Sequence, residues 1–147
     1  MRTSEIYKQT LWSEAAKTRT SIIQTYNSND PTDLAYAYSW ENGPLAAGVF
    51  LNWVKLGSFD PIALELIILH ETFHLLYDDQ KDSWESENKA WEYGAKMLAR
   101  MHYPLIPIEP VRKLFDDHPK LLGRWKDLVL ETLVNESYEL WSQLKSN

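Results

Sequence analysis

Two histidines and a glutamate interrupt a long apolar stretch, LELIILHETFHLLYDD, at residues 64–79. On a helix, His70 and His74 lie four residues apart and therefore on one face, where both imidazoles can bind the same ion. Glu71 is rotated by about 100 degrees from His70, so its carboxylate lies beside such an ion. Because Glu65 is the only polar side chain in this helix before His70, we expect a buried helix whose ionisable groups need a partner, and a cation can supply one.

The pattern H-E-x-x-H is typical of a zinc hydrolase. Zinc binds neutral imidazole nitrogens at about 2.0–2.1 Å, keeps an open position for water and lowers the pKa of that water toward about 7. Glu71 can then accept the proton of the water that attacks a carbonyl and pass it to the leaving amine. We therefore predict one Zn²⁺ per chain, while Mn²⁺, Ni²⁺ and Co²⁺ remain open for the same donor set.

The third ligand must come from elsewhere, and helical periodicity favours Glu87. On a helical wheel its side chain falls within about 60 degrees of the apolar face. That face consists of Trp84, Ala90, Trp91, Gly94, Leu98 and Met101. The small residues Ala90 and Gly94 allow a neighbouring helix to approach closely. The alternative is a Glu87 that is hydrogen-bonded to an interior Tyr or Trp.

The remaining ionisable residues of this region are expected to lie on a solvated face or in loops. The opposite face of the same helix carries two glutamate–lysine pairs at the i, i+4 spacing, Glu85 with Lys89 and Glu92 with Lys96. The acids of the preceding loop, Asp78, Asp79 and Asp82, are expected to be solvated. His102 and His118 adjoin loop prolines and can line a cleft or polarise a substrate.

The elements that position these residues form one domain, 1–147, with five predicted parts. These are an N-terminal helix at 4–26, a sheet at 34–56, the HExxH helix at 61–78, the third-ligand helix at 84–101 and C-terminal helices at 110–145. In the sheet region, large residues alternate with small ones in LAYAYSW, and Asn42-Gly43 predicts a hairpin turn before LAAGVFLNWVKL. The predicted class is therefore α+β, helix-rich, with a small antiparallel sheet packed on the HExxH helix.

Composition excludes several classes of function. The net charge is -6 and the 15 basic residues are scattered, so we do not expect nucleic acid as a partner. The chain has no cysteine, and its N-terminus lacks the apolar run of a signal peptide or a membrane span. We predict a cytoplasmic protein with no membrane partner, and we leave its oligomeric state open.

HETFH, with Glu87 thirteen residues after His74, resembles the gluzincin metallopeptidases, the zincins whose third zinc ligand is a glutamate on the next helix. More narrowly, ENKAWEYGAKML at residues 87–98 is similar to the ImmA/IrrE-type pattern. Its matching positions are Glu87, Ala90, Tyr93, Gly94 and Leu98. The resemblance spans residues 45–107 at most, and the zinc motif is the more specific part of it.

This resemblance implies a zincin-like fold in which His70, His74 and Glu87 bind zinc and Glu71 is the general base. It also implies that a peptide or protein substrate lies along a strand edge in LAAGVFLNWVKL, bound through its backbone. The residues of that edge are Val49, Leu51 and Trp53. Tyr77, Tyr93 and His102 are further candidates for lining the cleft or stabilising the transition state, and small relatives often have narrow regulatory targets.

Two positions depart from the family pattern, because Phe73 replaces a common Gly and Trp91 a common Asn. Both are bulky residues near the predicted ligands, so cleft shape and specificity should differ from those of the family. Two other functions stay open beside the endopeptidase. One is a catalytically silent, zinc-stabilised scaffold that binds a protein partner. The other is a helical interaction protein in which the C-terminal segment docks a partner.

Overall fold

The computed structural model describes residues 22–30, 33–39, 47–52, 59–77 and 84–146. The strands are β1 (Ile22–Tyr26), β2 (Ala35–Ser39) and β3 (Ala47–Asn52). The helices are α1 (Pro61–Tyr77), α2 (Trp84–His102), α3 (Ile108–Asp117) and α4 (Lys126–Ser146), with a 3-10 turn at Gly123–Trp125 before α4. Within these residues, no helix is long and apolar enough to cross a membrane.

Helix α1 carries the HExxH residues and is buried over most of its described length. Its first turn is capped by Asp60, whose carboxylate accepts a hydrogen bond from the backbone N–H of Ile62 at 2.8 Å. Pro61 follows the cap at the first helical position, where its missing N–H is not needed. From Ala63 to His70 every side chain is buried, so the continuous apolar run of the sequence corresponds to a helix surrounded by other elements.

Helix α2 packs directly against α1, and Gly94 allows the close approach. A Cβ atom placed on Gly94 would lie 3.1 Å from Leu66 Cδ1 and 3.5 Å from the backbone nitrogen of His70. Ala90 is also fully buried at this contact face. The opposite face is solvated, with the predicted ion pairs Lys89–Glu85 and Lys96–Glu92 both at 3.1 Å. The α2 periodicity therefore brings Glu87 to the side that meets α1.

The fold-class prediction is wrong about the sheet, which is mixed and not purely antiparallel. Four helices dominate the described residues, and the described strands form a mixed sheet in the order β1-β3-β2. β2 runs antiparallel to β3, whereas β1 runs parallel to it, with Ile22 opposite Gly48. A parallel partner far along the chain leaves no turn signal in the sequence, and this is why local patterns predicted a hairpin alone.

The N-terminal helix predicted at 4–26 is wrong at its end, because Ile22–Tyr26 is a strand. Its sequence, IIQTY, is rich in β-branched and aromatic residues, which favour a strand over a helix. The rest of that predicted helix and the predicted turn at Asn42-Gly43 lie outside the described residues.

The loop between β1 and β2 is held by the fully buried side chain of Asn52. Its amide accepts a hydrogen bond from the N–H of Ser28 at 3.1 Å and donates to the carbonyl oxygens of Ser28 and Asp33. The backbone N–H of Asn52 donates to the carbonyl of Leu34 at 2.8 Å. These bonds fix the position of Leu34, which is buried against the helical core.

The C-terminal helices close the core from the other side. Leu133 is fully buried, and Trp125 and Leu128 pack against the core. Trp141 differs, since it is 46% exposed. It belongs to an apolar stripe along the outer face of α4 that consists of Val134, Tyr138, Trp141 and Leu144.

Candidate metal centre

The side chains of His70, His74 and Glu87 converge between α1 and α2. The two Nε2 atoms are 3.3 Å apart. Glu87 reaches both rings, with Oε1 2.9 Å from His74 Nε2 and Oε2 3.2 Å from His70 Nε2. Both histidines are buried, while Glu87 is 28% exposed. The four-residue spacing on α1 and the inward position on α2 therefore bring three donor groups to one point.

The spacing of these donor atoms suits a bound cation. In a tetrahedral site with metal–ligand distances of about 2.0–2.1 Å, neighbouring donors lie about 3.3 Å apart. The two imidazole nitrogens are 3.3 Å apart, the two carboxylate oxygens of Glu87 lie 2.9 and 3.2 Å from one ring each, and one donor atom from each residue lies within 4.8 Å of the others. Two imidazoles and one carboxylate leave a fourth position for water or substrate. The cluster could hold a metal ion.

Electrostatics keep the carboxylate of Glu87 ionised. Burial alone would raise the pKa of Glu87, but hydrogen bonds and positive charge from His70 and His74 outweigh it and lower the pKa to about 2. A carboxylate that remains charged at neutral pH is ready to bind a cation without first losing a proton.

Glu71 lies next to this cluster without being part of it. Its Oε1 atom is 3.9 Å from His70 Nε2, and its side chain is 12% exposed. The rotation of about 100 degrees between successive helical residues accounts for this position. A carboxylate beside a cluster that could hold a metal ion is within reach of water at that cluster and could accept a proton from it.

A cavity of about 230 Å³ opens onto the cluster. Its polar lining residues are His70, Glu71 and Glu87. Its apolar lining residues are Leu34, Ala35, Ile67, Trp91, Leu121, Leu122 and Trp125. The donors therefore face space that a small molecule or a side chain can enter, as in many catalytic sites.

Sequence periodicity identified the polar lining of this cavity but missed most of the apolar lining. Leu34 and Ala35 come from the start of β2, and Leu121 and Leu122 come from the turns between α3 and α4. Nothing local in the sequence links these segments to HETFH, because long-range packing alone brings them together. Sequence signals existed for Trp91, which lies one turn from Glu87 on the same face of α2, and for Ile67, which lies one turn before His70 and Glu71 on α1.

Trp91 also packs on one histidine of the donor cluster. Its ring centroid is 4.0 Å from that of His70, at an angle of 37 degrees. The Nδ1 atom of His70 is buried and has no hydrogen-bond partner among the described residues. Metal-binding histidines usually donate their second ring N–H to a carboxylate or carbonyl. Here, ring packing against Trp91 contributes to the orientation that such a bond would otherwise set.

The other candidate residues lie in different surroundings. His102 pairs with Glu65, with 2.6 Å between Nε2 and Oε2, and it does not line the cavity. His118 contacts the backbone carbonyl of Leu114 and the ring of Phe59, also away from the donor cluster.

The two tyrosine candidates have different outcomes. The ring of Tyr93 is 5.5 Å from that of Phe73, which fills the space between α1 and α2. The side chain of Tyr77 lies outside the described part of the structure.

The predicted substrate edge is wrong for Val49 and Leu51. Both residues belong to β3, the central strand, and its backbone pairs with β1 on one side and β2 on the other. A central strand has no free hydrogen-bonding edge to receive a peptide. Trp53 lies outside the described residues.

Comparison of the chain with protein-family models, with curated proteins and with solved structures finds no match. The gluzincin and ImmA/IrrE-like resemblance therefore rests on HETFH, Glu87 and the residues after it. The case for a function rests on the chemistry of the site itself.

Proposed function

We propose that the chain is a zinc-dependent endopeptidase that hydrolyses a peptide bond. Its specificity is narrow, and its target is a regulatory protein. The observation that carries the proposal is the position of Glu71. Its carboxylate lines the same cavity as His70 and Glu87 and lies 3.9 Å from His70 Nε2. A site that only stabilised the fold would have no need of a carboxylate beside the ligands and facing the same opening.

In this proposal, His70, His74 and Glu87 hold the zinc ion. Zinc bound there supplies Lewis acidity, which lowers the pKa of water and polarises the substrate carbonyl. Glu71 accepts a proton at its carboxylate as the water oxygen bonds to the carbonyl carbon. When the C–N bond breaks, Glu71 delivers that proton to the nitrogen of the leaving amine. Residues of the apolar lining of the cavity exclude water around the reacting groups.

The experiment compares the wild type with Glu71→Gln. The substitution keeps the size of the side chain and leaves all three proposed ligands in place, but it removes the base. Each zinc-loaded protein is incubated with a soluble protein extract of its source cells in H₂¹⁸O, and new carboxyl termini that carry ¹⁸O above the level of the extract alone are counted by mass spectrometry. We expect Glu71→Gln to bind one zinc per chain and to cleave at least about 100-fold more slowly.

Glu85→Gln is the matched control, because Glu85 is an exposed glutamate of α2 that pairs with Lys89. We expect this variant to cleave as the wild type does. Cleavage by Glu71→Gln at the wild-type rate would refute the assignment of Glu71 as base.

A second candidate function is a catalytically silent zincin-like scaffold that binds a protein partner. The exposed stripe of Val134, Tyr138, Trp141 and Leu144 on α4 favours it, because apolar side chains in a row often mark an interaction surface. In this case the free energy of zinc binding would contribute to the stability of the fold, and removing zinc with a chelator would lower the melting temperature. Zinc binding with this stabilisation, but with no ¹⁸O incorporation by the wild type, would favour the scaffold.

A further inference from the structure

The cavity beside the donor cluster is lined by both polar and apolar groups. Its polar lining comprises the donor groups His70 and Glu87 together with Glu71. Its apolar lining comes from residues 34–35, from α1, from α2 and from the α3–α4 connection, so separate parts of the chain contribute to it. Leu34, Trp91 and Leu122 are each at least nine-tenths buried, and this indicates a well-packed wall.

The size of the cavity suits one large side chain. An apolar cavity of about 150 Å³ is enough to hold benzene, whereas drug-sized ligands occupy about 300 Å³ or more. The present volume of about 230 Å³ lies between these values. It therefore accommodates an aromatic ring together with the carbon that links it to a peptide backbone.

The shape and chemistry of the wall favour an aromatic ring. Trp91 and Trp125 line the cavity, with their ring centroids 6.0 Å apart at 31 degrees. The position of Trp125 is fixed by a hydrogen bond from its Nε1–H to Asn88 Oδ1 at 2.9 Å. A ligand ring can pack against such indoles in offset or tilted geometry.

Charge disfavours the alternatives. Glu71 and Glu87 are the only charged residues among those that line the cavity, and no lysine or arginine lines it within the described residues. With zinc bound, Glu71 and Glu87 balance the charge of the ion, so an acidic side chain would lose its hydration without gaining a cationic side chain as partner. A basic side chain would also lose hydration, because seven of the ten described lining residues are apolar.

We propose that this cavity selects substrates with a large apolar side chain, preferably aromatic, next to the bond that is cut. This inference rests on the proposed function, since it takes the metal cluster as the reacting centre. It adds the substrate class and names Leu121, Leu122 and Trp125 as residues that determine specificity.

The test uses zinc-loaded full-length protein and three hydroxamic acids that bind zinc through the same group. These are acetohydroxamic acid, phenylacetohydroxamic acid and the monohydroxamate of succinic acid. They differ only in carrying a methyl, a benzyl or a carboxyethyl substituent. Titration calorimetry measures their affinities without any turnover. From the apolar area of a buried phenyl ring, we expect the benzyl compound to bind on the order of 30-fold more tightly than acetohydroxamic acid. We expect the carboxylate compound to gain nothing.

Two variants assign that preference to the cavity. Ala35→Leu places extra bulk in it and should bring the benzyl-to-methyl affinity ratio close to one. Leu121→Ala removes part of the wall and should lower the ratio at least threefold. The matched control is Leu105→Ala, which makes the same change at a 68% exposed leucine outside the cavity, and it should keep the wild-type ratio.

Two negative outcomes are distinguishable. If acetohydroxamic acid binds but the benzyl compound binds no more tightly, the specificity inference is overturned while the metal site stands. If no hydroxamic acid binds, the proposed zinc centre fails, and the inference fails with it. A preference that both variants retain would also overturn the role of this cavity.

Discussion

The ion pair between His102 and Glu65 gives a stability prediction that does not depend on a metal. Glu65 lies within the apolar run of α1 and its side chain is only 10% exposed, while that of His102 is 25% exposed. Their Nε2 and Oε2 atoms are 2.6 Å apart. His102→Ala would leave Glu65 buried without this partner. We therefore expect it to destabilise the protein more than an ordinary surface substitution would.

The size of the effect follows from burial. Removing one partner of a fully buried pair costs about 3–5 kcal/mol. Because a quarter of His102 is open to solvent, water can partly replace it, and we expect a loss of about 2–3 kcal/mol. For a chain of this length this lowers the melting temperature by roughly 4–12 °C. The double variant Glu65→Met, His102→Leu should recover most of the loss, since it removes both charges and keeps the volume.

The pH dependence has a defined sign. The hydrogen bond to Glu65 raises the pKa of His102; burial opposes the rise, and the negative charge of Glu65 adds to it. A raised folded-state pKa means that the stabilisation is complete below the unfolded value, about 6.5, and is lost as the pH rises through the folded value. The advantage of wild type over His102→Ala should therefore shrink between pH 6 and pH 9.

Urea unfolding at a series of pH values measures this advantage directly. Leu105→Ala is the control, because Leu105 is 68% exposed and carries no ionisable group. Its difference from wild type should not shrink in the same window. A difference between wild type and His102→Ala that stays constant from pH 6 to pH 9 would refute the pairing as the cause.

Packing, hydrogen bonding and linkage each give a further prediction. Gly94→Val should force α1 and α2 apart at Leu66 and lower the free energy of unfolding, measured with urea, by about 1–3 kcal/mol. It should also weaken metal binding, because the new atoms face the backbone of His70. Asn52→Ala should lower the free energy of unfolding by about 2–4 kcal/mol in the same measurement. The backbone groups that now form hydrogen bonds with the Asn52 side-chain amide would then lose their partner. Free zinc at 100 times its dissociation constant should add about 2.7 kcal/mol, a rise of roughly 5–11 °C by calorimetry, and an unchanged melting temperature would contradict specific binding to the folded chain.

The donor cluster could be predicted because local rules determine it. The spacing of His70 and His74 sets their common face, and the helical wheel of α2 separated Glu87 from Glu85 and Glu92. The boundaries of α1 and α2 were predicted within one residue, at 61–78 against Pro61–Tyr77 and at 84–101 against Trp84–His102. Asp60 and the apolar periodicity carried that information.

The predictions that failed concern features that depend on contacts between segments far apart in the sequence. Ile22–Tyr26 continues a helical spacing of apolar residues, yet its β-branched composition and its parallel pairing with β3 make it a strand. The same long-range pairing makes β3 central and removes the predicted substrate edge. Most of the apolar lining of the cavity was also missed, because Leu121 and Leu122 follow Glu87 by more than 30 residues and have no pattern in common with it.

The central claim is that His70, His74 and Glu87 bind one zinc ion. Its most direct test is metal content by mass spectrometry after incubation with zinc and removal of the unbound ion. The wild type is compared with Glu87→Ala and with a His70→Ala, His74→Ala double variant, and Glu92→Ala serves as the control on the exposed face of α2. We predict one zinc per chain in the wild type and in Glu92→Ala, less in Glu87→Ala and none in the double variant. A wild type without zinc, or a double variant that still binds one equivalent, would contradict the claim.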